Sequence, residues 1–223
     1  MHQQKSKKIL LYFFLLILVS SINNINLNSL KFKEIKDIDV IGLGNYHNSI
    51  LLEEIKNLNL GNIFFINEKE ITDKIDSNSL IEKYEIFKKY PSSLNIDIDK
   101  TKFVARINDN GKIFLVGSNG KLSENYFTNN ELPFIFGKPS IKEFLDFKNI
   151  VNKSKFSYKE IKNLYFFSSK RWDLELNNDI IIKLPENYIK ESLHLVFDFL
   201  QNKSFVDIRI IDARIKNQII LND

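Results

Sequence analysis

Hydrophobic and polar positions change register several times along this chain, and each change predicts an element. Residues Ile9 to Ile22 read ILLYFFLLILVSSI, apolar apart from two serines, directly after Lys5, Lys7 and Lys8. As a helix these residues span about 21 Å, short of a hydrocarbon core of roughly 30 Å. Beyond them the spacing tightens. Ile35, Ile38 and Val40 suggest a strand ended by Gly42 and Gly44, and Leu51, Leu52, Ile55 and Leu58 recur at helical spacing. Asn62 to Ile66 is a short apolar run. Asn67 with Glu70 has the form of a capping box for a helix carrying Ile71 and Ile75. Tyr90-Pro91-Ser92-Ser93 has turn composition, and Leu94, Ile96 and Ile98 alternate as a strand.

The second half is richer in strand signals. Gly111, Gly117 and Gly120 punctuate a hairpin-like run, and Leu132-Pro133-Phe134-Ile135-Phe136-Gly137 follows. Ser140 with Glu143 makes a capping box for a helix bearing Phe144, Leu145 and Ile150. Trp172, Leu174 and Leu176 alternate, Asn177-Asn178-Asp179 turns the chain, and Ile180, Ile182 and Leu184 return, which predicts a hairpin. Asn187 is placed to cap a helix with Ile189, Leu193, Val196, Phe197 and Leu200 on one face. Ile210 to Leu221 reads as two short strands around Lys216-Asn217-Gln218.

Composition bounds what these elements can do. A hydrophobic share of 43% and an aromatic share of 13% belong to a folded chain, and 223 residues hold one domain or two small ones. Three of the 32 lysines and arginines sit in the tail before Ile9, leaving 29 against 28 acids. Most of the net charge of +4 therefore belongs to that tail, and no nucleic-acid partner is expected. With no cysteine, disulfides, thiol catalysis and Cys-based metal sites are excluded.

No catalytic signature emerges. His2, His47 and His194 have no metal-ligand spacing, and Gly42-Leu43-Gly44 lacks the third glycine and the lysine of a phosphate loop. There is no G-x-S-x-G, and no base lies near Ser168 and Ser169. We expect no catalytic residue, no cofactor and no metal. The candidate site is an edge. Ile219, Ile220, Leu221 and Asn222 form an apolar strand that no proline blunts, so it either completes the core or invites a partner strand. Arg214, one strand earlier, is placed to pair with a carboxylate on an incoming chain.

The motifs, in this order, resemble the bacterial cell-division family FtsQ, also called DivIB. Tyr90-Pro91-Ser92-Ser93-Leu94-Asn95-Ile96-Asp97-Ile98 is similar to the family's W/Y-P-x-x-L-x-I-x-V. Val104-Ala105 keeps part of E-R-x-P-V-A, with Phe103 where the proline stands. Leu132 to Gly137 resembles L-P-x-x-x-G. Ile211-Asp212-Ala213-Arg214 resembles V-D-L-R, with Ala213 for leucine and, further on, Gln218 for arginine. Arg171 matches an arginine just before the family's tryptophan.

The resemblance implies an α+β chain with four parts: a cytoplasmic tail (1–8), a transmembrane anchor (9–30), a POTRA-like domain (33–107) with two helices on a small sheet, and a β-rich domain with flanking helices (108–223). It implies a non-enzymatic divisome scaffold of the inner membrane at the septum, N-terminus cytoplasmic and the rest periplasmic. Its β-domain would bind FtsB and FtsL by strand addition through Ile219, Ile220, Leu221 and Asn222, with Arg214 and Arg171 flanking. The POTRA-like domain would meet other divisome proteins. Trp172 is read as core, since it alternates with Leu174 and Leu176. Two alternatives stay open on the residues. The apolar run could be a signal peptide with Val19 and Ser21 as a weak cleavage site, and the chain a secreted periplasmic enzyme. The POTRA-like part could also belong to another assembly or secretion component.

Overall fold

The cationic tail and the apolar run fold as one helix, α1 (His2–Ile22), in the computed structural model, which describes residues 2–22, 34–124, 131–201 and 208–222. Every large apolar side chain from Ile9 to Val19 is exposed, so this stretch of the helix is apolar all round. Among the described residues no helix is long and apolar enough to cross a membrane. The outer part of the expected anchor, 23–30, lies outside the described residues.

The first sheet is built by β1 (Asp37–Ile41), β2 (Ile81–Lys89) and β3 (Ser93–Lys100), with α2 (Asn45–Lys56) and α3 (Glu68–Ser77) between β1 and β2. The strand order is β1-β3-β2, with β1 parallel and β2 antiparallel to the central strand. The helical face of α2 (Leu51, Ile55) and that of α3 (Ile71, Ile75) bury against Val40, Leu94, Ile96 and Ile98. Each such buried side chain contributes about 1.5–3 kcal/mol, which is why the alternation in β3 fixes the register. Gly42 at the end of β1 is obligatory: its φ is +116°, and a Cβ there would lie 1.8 Å from the Ile98 carbonyl oxygen. Asn67 does begin α3 but makes no capping bond to the backbone; its Nδ2 donates to Glu70 Oε1 at 2.7 Å instead. The expected capping box is thus replaced by a side-chain pair.

The second sheet takes in β4 (Phe103–Asp109), β5 (Lys112–Gly117), β6 (Leu122–Glu124), β7 (Phe134–Phe136), β8 (Ile161–Phe166), β9 (Trp172–Leu176), β10 (Ile181–Lys183), β11 (Ile210–Asp212) and β12 (Ile220–Asn222). Its nine strands run β12-β11-β10-β9-β8-β7-β4-β5-β6. Residues 103–107, read from sequence as the tail of the first domain, therefore form part of β4 in this sheet. Two helices, α4 (Ile141–Asn152) and α5 (Ile189–Leu200), share its core. Ser140 and Glu143 make the expected capping box at α4, with Ser140 Oγ accepting from Glu143 N and Glu143 Oε2 accepting from Ser140 N. Asn187 does not cap α5; the cap position is Tyr188, in the left-handed conformation with φ +62°. Trp172 is core, its ring stacked on Phe147 at 4.6 Å with Phe166 at 4.8 Å.

The two sheets are joined by a polar clamp. Asn119, in the β5–β6 turn, donates from Nδ2 to the carbonyls of Ser79 (3.0 Å) and Ile81 (2.8 Å). Lys121 Nζ donates to the carbonyls of Asp76 and Asn78, placing a cation at the C-terminus of α3. Glu82 Oε2 accepts from Thr101 Oγ1 and Ser118 Oγ.

Candidate partner-binding edge

β12 stands at the rim of the second sheet, paired antiparallel to β11 only, and β11 in turn runs parallel to β10. Among the described residues no strand lies on its outer side. Its side chains divide between two faces. Leu221 lies opposite Ile211 on the helix-covered face, and Ile220 lies opposite Asp212 on the open face. Ile220 is 47% exposed and Leu221 37%, and Asn222 is exposed. Ile219 behaves differently: it is half-buried and packs on the core beneath. The predicted docking strand thus offers two apolar side chains rather than three.

The open face beside this edge carries a row of alternating charge. Asp173, Lys183 and Asp212 lie directly opposite one another on β9, β10 and β11. Arg171 and Arg214 stand two residues from Asp173 and Asp212, just outside β9 and β11 and on the same side of the row, and each reaches back to its carboxylate. Arg171 Nε donates to Asp173 Oδ1 at 3.2 Å, and its guanidinium lies 4.5 Å from the centre of the Phe167 ring. Arg214 Nε donates to both carboxylate oxygens of Asp212, at 2.8 and 2.9 Å, and Nη2 donates to Oδ2. The two arginines found by sequence therefore share a face, and each is held by a carboxylate two residues away in its own segment.

Those carboxylates were missed by the sequence reading, although Arg171-Trp172-Asp173 and Asp212-Ala213-Arg214 carry the signal. Their titration is pushed in opposite directions. The hydrogen bonds from Arg214 hold Asp212 below the usual carboxylate range. Burial raises Asp173, with Arg171 opposing that shift. A guanidinium has five donors, so the Asp212 pair leaves Arg214 with capacity for a second acceptor.

Beside the edge lies a shallow hollow of about 250 Å³ between the start of α5 and the β11–β12 turn. Asn187, Tyr188, Ser192, Arg214 and Lys216 line it, and Lys216 Nζ lies 4.6 Å from the centre of the Tyr188 ring. Edge strand, arginine and hollow together make a surface suited to an extended peptide with an acidic and an apolar side chain. It offers no nucleophile–base pair, and among the described residues no group of three metal-ligating side chains occurs.

Known proteins of similar sequence give this surface its context. The profile of the FtsQ-type POTRA domain matches residues 33–100, and that of the FtsQ/DivIB C-terminal region matches residues 104–214. The cell division protein FtsQ of Bradyrhizobium diazoefficiens is 24% identical over 163 residues. That alignment covers 71% of this chain and 48% of the relative, about half its length. FtsQ of Rickettsia conorii is 26% identical over 197 residues, covering 83% of this chain and 70% of that one. A solved extracytoplasmic domain of the cell division protein DivIB from Geobacillus stearothermophilus overlaps 42% of this chain and 85% of its own, at 11% identity and a TM-score of 0.33, too loose an overlap to bear on the fold. On the two profiles and these relatives, the chain belongs to the FtsQ/DivIB family of cell-division proteins.

Proposed function

We propose that this chain is a non-enzymatic scaffold of the divisome that binds FtsB and FtsL by accepting a strand on β12. The position of β12 carries the reading: a rim strand with exposed Ile220 and Leu221, unblunted by proline, beside the Arg214–Asp212 pair. Backbone groups on the outer side supply affinity to any extended segment, and side-chain pockets select it. Leu221 would lie under the incoming strand on the helix side, and Ile220 and Arg214 would meet it on the open face. Arg171, held by Asp173 and Phe167, flanks that face at a distance and orders it.

The domains divide the work. Residues 1–8 form a cytoplasmic tail and 9–30 an inner-membrane anchor, supported by the exposed apolar side chains from Ile9 to Val19 and the lysines before them. Residues 33–102 meet other divisome proteins as a POTRA-like domain, and 103–223, which contain the whole second sheet, hold FtsB and FtsL. In that arrangement the protein links early and late division proteins at the septum from the periplasmic side, without a cofactor. The intact mass of the mature protein checks the anchor: a chain that keeps residues 1–30 is anchored, and a chain cut near Ser21 is secreted.

The test of the binding site is capture of the periplasmic part of an FtsB–FtsL pair by the full chain and by a chain truncated after Lys216. Binding by the full chain alone supports strand addition at β12. Equal binding by both moves the interface elsewhere, and no binding by the folded full chain removes the scaffold reading.

A further inference from the structure

The Asn62 to Ile66 run, which the sequence shows only as a short apolar stretch, folds as a turn that splits its side chains. Ile63 and Ile66 turn inward, at 0% and 9% exposure, while Phe64 and Phe65 stand out at 51% and 75%. The split is built locally: Asn62 Oδ1 accepts from the backbone N–H of Phe64 at 3.1 Å and of Phe65 at 3.2 Å. Tyr90, at the tip of the β2–β3 hairpin, is 62% exposed and lies 5.1 Å from Phe64 between ring centres. Three aromatic rings thus share one end of the first sheet.

That end is where the chain arrives from α1. Glu34 bridges to Asn62, Ile35 N donates to the Gly61 carbonyl, and Lys36 N donates to the Ser92 carbonyl. β1 and β3 both start there, in parallel. The second sheet follows from the other end of β3, whose eight residues place the two ends about 25 Å apart. Residues 23–33, which connect α1 to this end, reach at most roughly 40 Å when fully extended. The aromatic end is therefore the part of the folded body tied shortest to the apolar helix.

We propose that Phe64, Phe65 and Tyr90 dock the first sheet on the lipid surface, with their rings at the headgroup–acyl boundary. This rests on residues 9–30 being an anchor. Aromatic rings favour that boundary, and Tyr also offers a hydroxyl to the headgroups. The charged neighbours Glu34, Lys36, Lys88, Lys89 and Glu68 nearly cancel, and Lys88 and Glu68 pair with each other. Contact is accordingly made by the rings and does not require anionic lipid. Docking would hold β12, at the far sheet, at a set height above the membrane.

The experiment uses the full chain in nanodiscs of phosphatidylcholine whose acyl chains carry bromine near the headgroup, a quencher of tryptophan. Phe65→Trp is compared with the parent chain, whose Trp172 is buried in the second sheet and supplies the background. Leu15→Trp reports the anchor. Docking predicts that the emission added by Phe65→Trp is blue-shifted and is lost in brominated lipid, unchanged when phosphatidylglycerol replaces part of the phosphatidylcholine. Solvent-like, unquenched emission added by Phe65→Trp, with that added by Leu15→Trp quenched, overturns the docking and leaves the rings to a protein partner. Unquenched emission from both variants overturns the anchor and the docking with it.

Discussion

Arg171 is proposed to flank the partner surface, and in the structure it is also the counter-charge for Asp173. Asp173 is buried, with its side chain 7% exposed, and burial raises its pKa. A carboxyl whose folded pKa is raised costs stability above that pKa, and the cost disappears as pH falls through it toward the unfolded value. Arg171→Ala removes the nearest opposing charge and deepens that cost. We expect a loss of about 1–3 kcal/mol at neutral pH, smaller near pH 4, with Asp173→Asn restoring much of it. Denaturant midpoints at the two pH values check this. Asp212 has the opposite sign: its lowered pKa gives stability present above the unfolded value and lost as pH falls through the folded one. At this scale the sequence was half legible. Arg171 and Arg214 stood out by resemblance, but the carboxylates holding them follow from strand phase, and Lys183 joins the row only through cross-strand register.

Among the elements, the legible ones were those whose apolar periodicity is strict. Leu94, Ile96 and Ile98 in β3 and Trp172, Leu174 and Leu176 in β9 are buried as their alternation demands. β8 escaped because Ile161, Leu164, Tyr165 and Phe166 do not alternate, and Tyr165 turns its hydroxyl to Glu175 on the open face. The capping box at Ser140 and Glu143 was legible, whereas the equally local Asn67 and Glu70 bond to each other and leave the backbone uncapped. The cap expected at Asn187 also failed, because a left-handed Tyr188 starts α5 instead. β12 is the element on which the proposed function turns. Ile220→Glu changes an exposed side chain, so stability should move by no more than about 0.5 kcal/mol. Partner capture should weaken clearly, because a carboxylate is then added beside the Asp212 row. Thermal unfolding and capture of the FtsB–FtsL pair, run in parallel, separate these effects.

At the scale of the whole molecule, the clamp between the sheets decides whether the first sheet and the distal edge move together. Asn119 joins the β5–β6 turn to Ser79 and Ile81, and its Oδ1 accepts from Lys121 N. No sequence pattern reveals it, since the partners lie about 40 residues apart and meet only through topology. Asn119→Ala should weaken the junction by about 1–3 kcal/mol. Trp172 fluorescence and hydrogen exchange in β3 should then report different unfolding midpoints, where the parent chain gives coincident ones.

The most direct test of the scaffold account is hydrogen exchange at residues 220–222 of the full chain, with and without the periplasmic part of FtsB and FtsL. Strand addition predicts that these amides slow on partner binding while those of β6, the opposite rim, do not. Tight binding that leaves 220–222 exchanging at the free rate would contradict it.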